Sequence, residues 1–100
     1  MKIELESNYF DEKCQCHLCG TLFFPEEIIA RAYRNSDEYI TDVCPQCLAS
    51  GNSGISDRIR RQADYLRRLA SELEKLADGE IETPSFEHFQ AVRKLTKFIL

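Results

Sequence analysis

Two cysteine pairs of identical spacing, Cys16-His17-Leu18-Cys19 and Cys44-Pro45-Gln46-Cys47, stand 24 residues apart and constrain this chain more than anything else in its 100 residues. Two residues between thiolates let one tight turn present both sulfurs to a single ion. Two such turns complete a tetrahedral shell of four sulfurs at ~2.3 Å. Gly20 follows the first pair, where a knuckle turn calls for a residue that tolerates positive φ. Pro45 presets φ inside the second pair and removes an N–H that needs no partner. The spacing therefore predicts one structural Zn²⁺ held by Cys16, Cys19, Cys44 and Cys47.

Other uses of the same sulfurs fit less well. The cysteine count of five is odd, and Met1-Lys2-Ile3-Glu4-Leu5-Glu6 alternates apolar with charged residues instead of forming a leader. The expectation is a cytoplasmic protein with reduced thiols rather than a disulfide framework. No stretch approaches ~18 consecutive apolar residues, so no membrane span is expected. A rubredoxin-like iron site often carries Gly after each pair, and Leu48 stands in the second place. Redox use of Cys44-Pro45-Gln46-Cys47 needs a preceding strand and a βαβ scaffold, which the pattern does not supply. A catalytic zinc keeps one position open for water, whereas four thiolates close the shell. Cys14 reads as a spectator thiol beside the site, with a shifted ligand set or a second ion as the alternative. His17 reads as solvent-facing or as a donor to a neighbouring thiolate.

Through Cys16-His17-Leu18-Cys19-Gly20 and Cys44-Pro45-Gln46-Cys47, the chain resembles the zinc-ribbon and treble-clef group of Cys₄ zinc fingers over about a third of its length. Members of that group occur in RNA polymerase subunits, transcription factors, ribosomal proteins, topoisomerases and adaptors. The resemblance implies a structural class and no single activity. A treble clef starts its helix within the second pair. Here Leu48-Ala49-Ser50-Gly51-Asn52-Ser53-Gly54 intervenes, which favours the simpler ribbon or a clef with an interrupted helix.

Composition shifts near residue 54, and Ser50-Gly51-Asn52-Ser53-Gly54 reads as a joint between residues 1–54, a Cys₄ zinc-ribbon module, and residues 55–100, a helical hairpin. In the first, Ile28 to Arg34 and Glu38 to Val43 flank the turn-prone Asn35-Ser36-Asp37 and predict a β-hairpin. Pro25-Glu26-Glu27 opening a short helix is the less favoured reading. Some fifty residues bury too little apolar surface to offset chain entropy, so the metal is expected to act as a staple. In the second module, Ile59, Gln62, Leu66, Leu69, Leu73 and Leu76 recur at alternating spacings of three and four along a helix of about residues 56–78, capped by Ser56. Ala63, Ala70 and Ala77 lie beside this seam. It spans under three heptads, so an antiparallel helix of the same chain is the expected partner. That helix, about residues 84–98, starts at Thr83-Pro84 and carries Phe86, Phe89, Val92, Leu95 and Ile99, with Ala91, Phe98 and Leu100 widening its apolar arc. The predicted fold is a small α+β zinc protein, an N-terminal Cys₄ ribbon with a β-hairpin followed by an antiparallel helical hairpin.

Charge divides with the modules. Residues 1–54 carry four basic residues against nine acids, a balance of −5, and residues 55–100 carry nine against eight, a balance of +1. An acidic zinc module disfavours contact with phosphate. Arg58, Arg60, Arg61, Arg67 and Arg68 form the one basic cluster, and Arg60, Arg61, Arg67 and Arg68 read as a patch for nucleic acid or an acidic partner if they are not simply a solvated helix face. No phosphate loop, HExxH or deaminase signature occurs. Nucleases of the HNH type need histidines between or just after the pairs, and residues 20–43 contain none. His88 has no ligand-spaced neighbour. The sequence therefore predicts a non-enzymatic adaptor or regulator that binds another protein, through the apolar face of the helical hairpin, the acidic zinc module or both, or a second copy of itself through the hairpin. Attachment to a transcription or other nucleic-acid machine is what the resemblance implies. Direct nucleic-acid binding through the arginines is the alternative.

Overall fold

A computed structural model describes residues 1–99, without the side chains of Phe98 and Ile99. Leu100, placed on the apolar arc of the last helix from the sequence, lies outside the described residues. Eight elements follow in order: β1 (Lys2–Ser7), β2 (Cys14–Gln15), β3 (Leu22–Phe23), β4 (Ile28–Tyr33), β5 (Tyr39–Val43), α1 (Pro45–Ala49), α2 (Gly51–Asp78) and α3 (Phe86–Ile99). The chain is thus a small α+β protein with antiparallel strands. It divides into two compact units, Met1–Arg68 and Leu69–Leu100.

The first unit is built on a three-stranded antiparallel sheet in the order β1-β4-β5. β4 and β5 flank Asn35-Ser36-Asp37, where Asp37 takes a φ of 71°, and Pro25-Glu26-Glu27 stays non-helical. β1 goes beyond the sequence expectation. Its residues alternate with period two, and it pairs with β4 in a register that sets Leu5 opposite Ala30 and Glu6 opposite Ile29. Arg31 ties the three strands together, with its Nη1 2.9 Å from Glu6 Oε2 on β1 and its Nε 3.2 Å from Asp42 Oδ1 on β5. Tyr33 donates its hydroxyl hydrogen to Glu6. The hydrogen bond from Tyr33 and the Arg31 guanidinium hold the Glu6 carboxyl below its usual range.

The core is small. Cys16, Leu18, Ala30, Ala32, Val43, Cys44, Cys47 and Ile55 are its buried members, with Ile3, Cys19, Phe23, Ile40 and Ile59 packed against them. Three of those eight are cysteines and two are alanines, so burial alone stabilises this unit weakly.

The helices begin elsewhere than the sequence suggests. α1 starts inside the second cysteine pair, with Pro45 at its first position and Cys44 as its N-cap. Ser50 closes it by donating its N–H and its hydroxyl to the Cys47 carbonyl. Gly51 then adopts a φ of 72°, and α2 is under way from that residue. The stretch read as a joint is therefore largely helical, and Ser56 lies inside the helix rather than at its cap. The cause is tertiary: Ile55 is buried in the core and Ile59 packs against it, which outweighs the weak helix propensity of Gly51-Asn52-Ser53-Gly54.

In the second unit α3 is capped by Ser85, whose Oγ accepts the His88 N–H at 3.1 Å, and not by Thr83. Leu73, Leu76, Phe86, Phe89, Val92 and Leu95 are all exposed. Among the described residues, no helix is long and apolar enough to cross a membrane.

Candidate metal centre

Each cysteine pair is held by backbone that its own sequence dictates. In the first, Cys16 O accepts the N–H groups of Cys19 at 3.3 Å and Gly20 at 2.6 Å, and Cys16 N–H donates to Thr21 O at 2.8 Å. Gly20 takes a φ of 84°, and a Cβ there would lie 2.9 Å from the Gln62 side-chain nitrogen of α2. Glycine is favoured by the turn, and the Gln62 side chain of α2 reaches over it. Strands β2 and β3 bracket this knuckle, pairing Cys14 with Phe23 and Gln15 with Leu22. Thr41, fully buried on β5, accepts the His17 N–H at 3.0 Å and so fixes the knuckle to the main sheet. The second pair is presented by the first turn of α1, where Cys47 N–H donates to Cys44 Sγ at 3.4 Å.

These two turns bring Cys16, Cys19, Cys44 and Cys47 together, with all four sulfurs within 4.8 Å of one another. Cys16 Sγ lies 3.8 Å from Cys47 Sγ, and Cys19 Sγ lies 3.6 Å from Cys44 Sγ. Four sulfurs at ~2.3 Å from one tetrahedral ion would be about 3.8 Å apart, so the cluster fits a single ion of that size. A disulfide would place two sulfurs at ~2.05 Å, and all five cysteines are free. Cys16, Cys44 and Cys47 are 0 % exposed and Cys19 is half-buried. The four residues could hold one metal ion, which would cross-link the knuckle to the start of α1.

A residue that sequence reasoning did not place at the site completes its electrostatics. Arg58 on α2 donates from Nε to Cys47 Sγ at 3.1 Å. The thiolates of Cys47 and Cys19 raise the Arg58 guanidinium above its already high range. Burial pushes the Cys47 thiol up, and Arg58 opposes it. At Cys19 burial also acts upward, but it is outweighed by the Thr21 hydroxyl, at 3.2 Å, the Thr21 backbone and Arg58, which hold this thiol at about 6. Four thiolates around a divalent ion leave two formal negative charges. One guanidinium against the sulfurs removes part of that excess.

The position of Arg58 depends on the break between α1 and α2. In one continuous helix Cys47 and Arg58 would be separated by eleven residues, roughly 16 Å along the axis, beyond direct contact. The turn at Ser50-Gly51 redirects the chain, so that α2 carries Arg58 back to the sulfurs and Gln62 to the knuckle.

Cys14 and His17 stand outside the four-sulfur cluster. Cys14 is half-buried on β2, and burial, with Asp42 adding to it, raises its thiol. The side chain of His17 is exposed. The four arginines named from the sequence are exposed on α2. Arg60 pairs with Asp57 at 3.5 Å, Arg67 with Asp64 at 3.0 Å, and Arg68 donates to the Asp64 carbonyl at 3.5 Å. Arg61 instead lines a cavity of about 310 Å³ beside the cluster, with Cys19, Thr21, Arg58, Gln62 and Tyr65. No family model, no curated protein and no solved structure matches this chain.

Proposed function

We propose that this chain is a non-enzymatic, zinc-stabilised adaptor or regulator that acts through protein–protein contacts. The observation that carries the reading is the closed four-sulfur cluster, spaced for one tetrahedral ion and buried at three of its four members. Such a shell leaves no coordination position for substrate or water, so the ion serves as a cross-link rather than a Lewis acid. Four thiolates favour Zn²⁺ among the abundant divalent ions, and a cytoplasmic setting keeps them reduced. The order knuckle, β-hairpin and helix, with Cys44 capping that helix, supports a treble-clef type of centre whose helix is interrupted at Gly51, in preference to a plain ribbon.

The partner is another protein or a second copy of the chain. Support comes from the apolar side chains that the two long helices leave exposed, Leu66, Leu73 and Leu76 on α2 and Phe86, Phe89, Val92 and Leu95 on α3. Pairing of these helices as an antiparallel hairpin would cover part of that surface. A role beside transcription or another nucleic-acid machine is consistent with the zinc-finger resemblance. Affinity capture of the tagged chain from its native host tests the reading. A stoichiometric complex that the Cys44→Ser variant fails to form supports it. Capture of nothing by the zinc-loaded chain, or a turnover activity of the isolated protein, overturns it.

Direct nucleic-acid binding remains the second reading, favoured by one observation: Arg61 is exposed beside Arg58 and, among the described residues, forms no ion pair. A salt-dependent shift of DNA or RNA that is removed by charge reversal at Arg60, Arg61, Arg67 and Arg68 would establish it.

A further inference from the structure

The exposed loop that follows β1 carries a feature that the metal centre does not use. Tyr9 and Phe10 are 88 % and 67 % exposed, and Phe24, which precedes Pro25 of the facing segment, is 69 % exposed. Large aromatic side chains left this open remove little apolar surface from water, so they contribute almost nothing to the fold. The backbone that carries Tyr9 and Phe10 is nevertheless held in place. Asn8 Nδ2 donates to Phe10 O at 2.7 Å and to Glu26 O at 3.2 Å, while Asn8 N–H donates to Glu27 O at 2.8 Å. Residues 8–11 and 25–27 thereby line a shallow, open depression of about 280 Å³. Ordering the backbone beneath aromatic groups before a partner arrives lowers the entropy lost on binding.

Charge says what kind of partner fits. Of the nine acids in residues 1–54, five are paired: Glu4 and Asp37 with Lys2, Glu6 and Asp42 with Arg31, and Glu38 with Arg34. The other four are Asp11, Glu12, Glu26 and Glu27, which are all exposed and enter no ion pair among the described residues. All four adjoin the exposed aromatics. Lys13, the one basic residue among them, has its Nζ 5.7 Å from the centroid of the Phe24 ring, so this platform already holds a cation on an aromatic face.

We propose that Tyr9, Phe10 and Phe24, rimmed by Asp11, Glu12, Glu26 and Glu27, form the docking surface for a basic, arginine- or lysine-bearing segment of another protein. The inference rests on the adaptor reading and names the partner chemistry for one of its surfaces. Aromatic rings accept aliphatic stems and cationic heads together, and the four unpaired carboxylates supply counter-charges. The same charge repels nucleic acid and anionic membrane. The arginine-bearing face of α2 in a second copy is a poorer occupant. Arg60 and Arg67 already pair with acids of their own helix.

The test uses the zinc-loaded full chain and a labelled octapeptide of alternating arginine and leucine, with the glutamate–leucine octapeptide as counterpart. The arginine peptide is expected to bind, more weakly as salt rises, and to move backbone amide resonances of residues 8–13 and 24–28. Tyr9→Ala combined with Phe10→Ala should weaken binding about tenfold or more. Glu26→Gln combined with Glu27→Gln should weaken it and flatten its salt dependence, and both variants should keep the zinc content of the parent. Equal binding of the glutamate peptide, unchanged affinity in the Tyr9→Ala/Phe10→Ala variant, or shifts confined to the acids of α2 would overturn the proposal. So would self-association of the chain that the Glu26 and Glu27 variants abolish. A chain that captures a zinc-dependent partner but ignores the arginine peptide loses this docking surface and keeps the adaptor role. One that binds the peptide through Tyr9 and Phe10 but captures no partner loses the adaptor role and keeps the surface.

Discussion

At the scale of single residues, what was legible in the sequence was whatever local spacing decides. The four sulfurs are placed by two short turns, so Cys16, Cys19, Cys44 and Cys47 could be picked out without knowledge of the fold. Arg58 could not, because its contact with Cys47 depends on a bend seven residues earlier. Arg58→Ala is expected to weaken zinc binding about 10- to 100-fold at unchanged stoichiometry, read by competition with a chromophoric chelator. Arg58→Lys should recover only part of the loss, since it keeps the charge but not the planar donor. A second prediction concerns Glu6. Its carboxyl is held low by Tyr33 and Arg31, so the stability it contributes is present above the ordinary glutamate range, near ~4.3. That contribution is lost as pH falls through the lowered folded value. Denaturation of the parent and of Glu6→Gln should therefore differ at neutral pH, with the difference shrinking as the solution is acidified. A difference that holds constant with pH would remove this role.

At the scale of elements, periodicity was informative and the N-terminal cap signals were not. β1 carries a plain period-two alternation, and its role emerges only because β4 offers an edge for it to pair with. α2 begins earlier than its cap signals suggest because Ile55 anchors the first turns on the core. The break before α2 makes Gly51 a sensitive position. A Cβ there meets nothing within 4 Å, so Gly51→Ala feels only the left-handed backbone, with a φ of 72°. The expected loss is ~1–2 kcal/mol in denaturant unfolding of the zinc-loaded protein. Weaker zinc binding should accompany it as Arg58 is displaced. Gly20→Ala should lose a similar amount for its φ of 84°, since the Gln62 side-chain end that its new Cβ would meet can turn aside. No loss at either glycine would contradict the left-handed turns at these two positions.

At the scale of the whole molecule, the net charge of −4 conceals its distribution. Most of the acids in residues 1–54 pair with Lys2, Arg31 and Arg34, and the remainder collect beside exposed aromatics. That concentration could not be read from composition, because strand register decides which acids find partners. With a core this small, an ion held by the sulfur cluster would contribute its binding free energy to the folding of the first unit. A strong chelator is therefore expected to abolish the ordered structure of residues 14–47 while helical signal from the rest of the chain persists. Mass spectrometry of the purified chain under native and then denaturing conditions tests the central claim most directly. The account predicts one zinc ion per chain, lost on denaturation and missing in Cys16→Ser and Cys47→Ser. A folded chain that carries no metal, or one that carries iron in its place, would contradict it.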